Sequence, residues 1–341
     1  LFYGPSIAPG NSTVSASDKN ILFIFPGQGS QYPGIGSDLF EEYATARAVY
    51  DQAGEVLGYD IAELSFRDPD DQVNLTRFTQ PVLLTHSIAC LQVFRDLTDD
   101  KLKPALAAGH SLGEYSALVA AGVLSFESAL SLVQQRGELM GTYGEGEMSA
   151  FPLNVDAIKP IAESHYCAIA GCNLPEQTVI GGRPEDLEKV EQAVLEQFER
   201  ARPTRLKTEG AFHTYYMVEA ARNYRAVLET AEFAGSDTGV LSNFTGKVHD
   251  SDPAAIRAGL FFQLFHPVLW HANMQTAFEQ GMDLVFEFGG GIGPADEPGG
   301  KRPNLQGMIK RILRASGQAA DYQAVINSAT MAASADFVNQ G

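Results

Sequence analysis

Two features of this chain have the residue types and spacing for covalent chemistry: a serine between glycines at 109–113 and a histidine at 213. Gly109-His110-Ser111-Leu112-Gly113 is a Gly-x-Ser-x-Gly pentapeptide. Such glycines permit a strained strand-to-helix turn that exposes the serine oxygen at a helix start. Backbone N–H groups and the positive end of the helix dipole then suit a developing oxyanion. The pentapeptide alone also fits a glycine-rich turn with a structural serine, and its flanks decide between the two. Small apolar residues at 105–108 read as a strand and an Ala-rich stretch at 114–121 as a helix, the context that a nucleophile needs. Of the seven histidines, His110 adjoins Ser111 and should turn its ring away on an extended segment. His213, in Gly210-Ala211-Phe212-His213, is the best general base. His86, His165, His249, His266 and His271 read as hydrogen-bonded structural residues.

These groups need a frame. ILFIF at 21–25 is a continuous apolar run ending at Pro26-Gly27, as a buried strand feeding a tight loop would. Apolar spacing predicts helices over 38–57, 80–97 and 125–140, the last capped by Ser125. Glycine becomes frequent at 141–149, and from there to about 209 strands near 148–153, 167–171, 177–181 and 204–208 alternate with helices 155–164 and 184–199. That order fits a small ferredoxin-like insertion. Helix 214–231, strand 239–242, helices 253–264 and 267–280, strand 283–288 and a final helix near 305–314 return to the first pattern. The expected fold is therefore α/β: an α/β-hydrolase-like large domain with a parallel sheet (21–141 and 210–315) and a ferredoxin-like subdomain (142–209). Residues 1–20 read as a linker or tail, and 316–341 as a C-terminal tail.

Composition narrows the partners. The chain is 45% hydrophobic and 19% charged, which supports a large core. A formal charge of −18 excludes non-specific nucleic-acid binding. Any acidic partner needs a local basic patch, for which Arg202, Arg205 and Lys207, or Lys301, Arg302, Lys310 and Arg311, are candidates. No apolar run is long enough for a bilayer, so no membrane is expected. Cys90, Cys167 and Cys172 make neither a zinc pattern nor a disulfide framework, which points to a reducing cytoplasm. No metal-ligand spacing is present, and neither a metal nor a redox cofactor is expected.

The chain resembles malonyl-CoA:acyl carrier protein transacylases and the acyltransferase domains of polyketide and fatty-acid synthases. FPGQGSQ (25–31), TQP (79–81), GHSLGEYSALVAAG (109–122), QQRGELM (134–140), GAFH (210–213), SNFTG (242–246) and QLFHPVLW (263–270) carry the resemblance, in order, from Ile21 to Arg311. It implies that Ser111 forms an acyl-enzyme and that His213 is its base, oriented by the backbone carbonyl of Gln263. It further implies an oxyanion hole from Gln28 and the Leu112 N–H, and a carboxylate site at Arg136. Phe212, bulky beside the histidine, goes with malonyl over methylmalonyl. The implied substrate is the coenzyme A thioester, with no cofactor, and the implied partners are malonyl-CoA and an acyl carrier protein. The lack of a ketosynthase segment points to a discrete, trans-acting enzyme. Gly289-Gly290-Gly291, with a long Gly/Pro-rich loop to Pro303, departs from the family's Gly-Pro-Gly.

The same scaffold also serves thioester hydrolases that clear carrier proteins, which would keep Ser111 and His213 without needing Arg136. A transferase for a functionalised malonyl unit is a further alternative. Intact Ser111, His213, Gln28 and Arg136 argue against an inactive docking module, and no acid residue suits an esterase triad.

Overall fold

The computed structural model describes residue 16 and residues 19–340. Most of the segment expected as an N-terminal linker, 1–20, lies outside the described residues.

The chain begins with β1 (Ile21–Phe25), α1 (Ser37–Glu42), α2 (Ala44–Leu57), α3 (Ile61–Phe66) and the long α4 (Thr76–Leu97). β2 (Leu106–Gly109), α5 (Gly113–Ala120) and α6 (Phe126–Tyr143) follow. The insertion comprises β3 (Glu147–Phe151), α7 (Val155–Ser164), β4 (Ala168–Leu174), β5 (Gln177–Gly182), α8 (Pro184–Gln197) and β6 (Thr204–Leu206). The chain then returns through α9 (Val218–Glu229), β7 (Gly239–Leu241), α10 (Pro253–Gln263), α11 (Trp270–Glu279) and β8 (Leu284–Phe288). It closes with α12 (Gln306–Ser316), β9 (Asp321–Val325) and α13 (Ser328–Gln340).

The large domain is built on a five-stranded sheet ordered β7-β2-β1-β8-β9, with every pairing parallel. Its central strand explains why ILFIF shows no alternation. Phe23 and Phe25 enter one hydrophobic core while Leu22 and Ile24 enter a second on the opposite face. A strand covered by helices on both sides reads as continuously apolar. On the first face Phe23, Phe94, Phe286 and Phe288 pack edge-on and tilted, with ring centroids 4.7–6.2 Å apart. On the second face Trp270, Met274 and Ile309 close over Leu22 and Val285. Each such fully buried side chain contributes about 1.5–3 kcal/mol of hydrophobic stabilisation before entropy is counted.

The insertion forms a separate antiparallel sheet ordered β4-β5-β3-β6, with α7 and α8 packed over a small core of its own. This β-α-β-β-α-β order is the ferredoxin-like arrangement expected of the alternation. It is pinned to the large domain through β4. The Val268 N–H donates to Ala170 O (3.0 Å), and the Cys172 N–H donates to Val268 O (2.8 Å). That bridge explains why the helix expected from 267 starts only at Trp270: residues before it pair as extended chain.

Three other expectations change. The helix expected over 38–57 breaks at Tyr43, whose backbone is extended. Residues 142 and 143, placed in the insertion from sequence, still belong to α6. Residues 316–341 were expected as a tail, yet β9 pairs in register with β8, and α13 buries Met331, Ala335 and Val338. β9 is a half-exposed edge strand, so its sequence lacks an apolar run; main-chain pairing with β8 holds it. Among the described residues no helix is long and apolar enough to cross a membrane.

Candidate active site

The functional side chains gather at the carboxyl ends of the parallel strands, where open α/β sheets place their sites. β2 delivers the pentapeptide. Ser111 sits at φ +53°, a left-handed conformation uncommon for a side-chain-bearing residue. The flanking glycines are required sterically. A Cβ on Gly109 would lie 1.8 Å from Gly113 C, and one on Gly113 would lie 2.2 Å from Phe25 O. The elbow therefore packs against its own helix and against β1, leaving Ser111 at the start of α5 with Leu112 as the N-cap residue.

His213 follows the insertion and also has a positive φ, +62°. Strain at both residues is the kind a functional site retains and the surrounding packing holds. Ser111 Oγ is 2.7 Å from His213 Nε2, and His213 Nδ1 is 2.7 Å from the Gln263 carbonyl oxygen at the end of α10. A carbonyl only accepts, so Nδ1 carries the proton and Nε2 is free to accept from the serine hydroxyl. Burial and the Arg136 cation pull the His213 pKa down to about 3, against the opposing Gln263 hydrogen bond. The imidazole is thus neutral, as a base must be.

Arg136, on α6, is 1% exposed. Gly137 lets this part of α6 approach α4: a Cβ there would lie 2.7 Å from Thr76 O. Arg136 donates from Nη1 to Gln80 Oε1 (2.9 Å) and from Nη2 to Gln263 Oε1 (2.9 Å), and Nη2 also reaches Ser111 Oγ (3.3 Å). Its guanidinium lies 5.6 Å from the Tyr115 ring centre, its Nε has no partner, and no carboxylate of the described residues pairs with it. A buried cation held by amide oxygens beside a serine hydroxyl can pair with an anion.

These groups line a cleft of about 1060 Å³ between the two sheets. Gln28, Leu112, Met140 and Phe212 form its large-domain wall. Each strand of the insertion adds to the other wall: Met148 and Ala150, Ala170, Val179 and Leu206. Gln28 Nε2 is loosely tethered to Thr76 Oγ1 at 3.2 Å. The 289–304 loop reaches the cleft, which Ile292 and Asn304 line. Of the basic candidates, Lys207 and Arg311 border the cleft, whereas Arg205 is committed to Glu147 and Glu191 inside the insertion.

All seven residues singled out from sequence therefore meet here: Ser111, His213, Gln263, Gln28, Leu112, Arg136 and Phe212. His110 makes no hydrogen bond to Ser111 Oγ; it donates to Asn173 Oδ1 of the insertion (2.8 Å) and packs on Trp270. His86 and His266 are hydrogen-bonded structurally, and His249 pairs with Glu114 at 2.6 Å. Sequence reading missed Glu114, Asn243, Gln80 and Asn173. Glu114 had one usable signal, being the only charge in the otherwise apolar Gly113–Ala120 helix. Asn243 stands within SNFTG (242–246), where sequence gives it no role, and it is fully buried.

Comparison with known proteins agrees with this geometry. The family described as "acyl transferase domain" matches residues 22–287, so the chain belongs to that family and is an acyltransferase. It is 35% identical over 306 residues to the malonyl CoA-acyl carrier protein transacylase of Bacillus subtilis, covering 87% of this chain and 91% of that one. An acyl carrier protein S-malonyltransferase from Vibrio cholerae superposes with a TM-score of 0.81 at 33% identity, covering 92% of this chain and 99% of the other. A malonyl-transacylase solved in complex with its type II PKS acyl-carrier protein gives a TM-score of 0.81 at 32% identity, covering 94% and 100%.

Proposed function

We propose that this acyltransferase moves a malonyl-type group from coenzyme A to the phosphopantetheine thiol of an acyl carrier protein, through an ester on Ser111. One observation carries the reading: Arg136, buried and without a carboxylate partner, stands 3.3 Å from Ser111 Oγ. A guanidinium fork binds a carboxylate in two parallel hydrogen bonds. A substrate with a free carboxylate beside its thioester carbonyl meets that need.

The steps follow from the hydrogen bonds. Ser111 Oγ attacks the thioester carbonyl while its proton passes to His213 Nε2. The oxyanion forms where the Leu112 N–H and Gln28 can donate, one such donor being worth about 3–4 kcal/mol in the transition state. The C–S bond breaks, and His213 returns the proton to the departing coenzyme A sulfur. The carrier thiol then gives its proton to His213 and attacks the ester, and Ser111 leaves with the proton restored. The scheme is ping-pong, and each step is acyl substitution or proton transfer. Arg136 also sets the base. Its cation disfavours imidazolium, and a substrate carboxylate neutralising it raises the proton affinity of His213 as the ternary contact forms. Gln263 supplies a carbonyl instead of a carboxylate behind the imidazole, so the histidine is oriented without a full countercharge.

Phe212 and Met140 narrow the cleft beside His213, which favours unbranched malonyl. The bordering Lys207 and Arg311 offer cationic side chains to a phosphate-bearing acyl donor or acceptor. A carrier-protein hydrolase on this scaffold would leave Arg136 without a task.

Intact-protein mass spectrometry after brief exposure to malonyl-, methylmalonyl- and acetyl-CoA tests the proposal. A single malonyl-sized adduct, absent from Ser111→Ala, is expected. Loading or hydrolysis of acetyl or longer groups without a malonyl adduct would overturn it.

A further inference from the structure

Behind the elbow lies a buried carboxylate that the reaction scheme does not use. Glu114, the second residue of α5, is fully buried. Its Oε2 accepts from Gln263 Nε2 (2.8 Å) and from the Asn243 N–H (2.9 Å), while Oε1 accepts from His249 Nε2 (2.6 Å). Each of the first two partners turns toward a reacting group. Gln263 gives its backbone carbonyl to His213 and its Oε1 to Arg136. Asn243 accepts the Ser111 N–H at Oδ1 (2.6 Å) and ties Gly109 O with Nδ2 (2.7 Å).

We infer that Glu114 is a positioning residue that orients the Gln263 amide and thereby aims Arg136 at the acyl carboxylate. This rests on the malonyl reading of the site. The argument is one of donor and acceptor matching. The Gln263 amide is placed between Glu114, which only accepts, and Arg136, which only donates. One orientation satisfies both: NH2 to Glu114, oxygen to Arg136. Gln263 Nε2 also donates to Ser111 O (2.9 Å), so removing the acceptor at 114 leaves one of its two N–H groups unpaired in a buried site, which is costly. The amide NH2 is then held by Ser111 O alone, and the freedom it gains shifts Oε1 and with it Arg136. Groups that act on every thioester, Ser111 and His213, keep their direct contacts. The damage therefore falls on substrates that need Arg136.

The test compares rates of Ser111 loading from malonyl-CoA and acetyl-CoA by intact mass, as a ratio on one preparation, so the folded fraction cancels. Glu114→Leu is expected to lower the malonyl-to-acetyl ratio roughly tenfold or more, the scale of losing one charge-assisted orientation. Glu114→Gln should recover most of it. Its amide oxygen can take the Oε2 position, and His249 can shift its ring proton so that Nε2 accepts from the new NH2. A ratio unchanged in Glu114→Leu while both rates fall together, or a Glu114→Gln no better than Glu114→Leu, overturns the inference. If Glu114→Leu does not accumulate as folded protein, Gln263→Leu breaks the same relay while keeping the carbonyl to His213. An unchanged ratio there overturns the inference equally. Wild-type protein that loads no malonyl would instead sink the malonyl reading itself.

Discussion

The two sheets that face each other across the cleft contribute different things. The parallel sheet and its helices supply the polar groups that meet at the site: Ser111 after β2, Gln28 after β1, Arg136 from α6, and the Gln263 carbonyl from α10. Each is held by hydrogen bonds at 2.6–3.3 Å, and Arg136 and Gln263 are buried. The antiparallel sheet supplies a wall. Met148, Ala150, Ala170, Val179 and Leu206 are apolar, and its one polar hold on the elbow region is Asn173 on His110. Chemistry is thus placed on the element with least freedom, while the shape of the acyl site is shared with a subdomain attached mainly through β4. His213 lies at the junction, where the insertion returns to the large domain, so chain connectivity ties its position to that of the insertion.

If that division is right, losing a buried polar group should cost loading rate, for one acyl donor or for all, while trimming the apolar lining should change which acyl groups fit. The largest loss falls on Ser111→Ala, with no acyl adduct from any thioester; an adduct that persists would place the nucleophile elsewhere. Arg136→Ala comes next. Malonyl loading should fall about 10²-fold or more, since an unpaired buried carboxylate typically costs about 3–5 kcal/mol, while acetyl loading should change far less. Equal losses for both would remove the carboxylate role.

The pH profile sharpens the same side. Since the His213 pKa is lowered to about 3, the base is already deprotonated through the neutral range. Activity is lost only as pH falls toward that value, so the acid limb of kcat/KM should lie well below the 6.5 of free imidazole. In Arg136→Ala, assayed with acetyl-CoA, loss of the neighbouring cation should move the limb upward. A limb near 6.5 in the wild type would contradict the buried, cation-flanked setting. The smallest effect belongs to the wall. Phe212→Ser should admit methylmalonyl with a gain of roughly tenfold relative to malonyl, at the lower end of the 1–3 kcal/mol that one methyl commands. Competition between the two thioesters, read by mass, would show it, and no gain would mean the limiting wall lies on the insertion.

Much of this was legible in the residues. A strand, a glycine-flanked serine and a helix in succession require one elbow, because no side chain fits at Gly109 or Gly113. The apolar run 21–25 required a doubly covered strand, and the alternation from 148 to 208 required a small separate sheet. Local backbone and periodicity constraints set these features, so short windows of sequence carry them. The edge strand β9 escaped because its stability comes from pairing with β8, thirty-three residues or more earlier in the chain, and not from its own apolar content. Glu114 and Asn243 escaped for a related reason. A buried carboxylate or amide is tolerated only where donors converge on it, and here those donors come from α10 and the segment between β7 and α10 for Glu114, and from Ser111 for Asn243. Sequence alone thus singled out Ser111, His213 and Arg136 and the strand-turn-helix frame that brings them together. Tertiary structure alone decided that Arg136 stands buried without a countercharge and that one carboxylate behind the elbow steadies the site, because both facts depend on which distant polar groups are brought within 3 Å of each other.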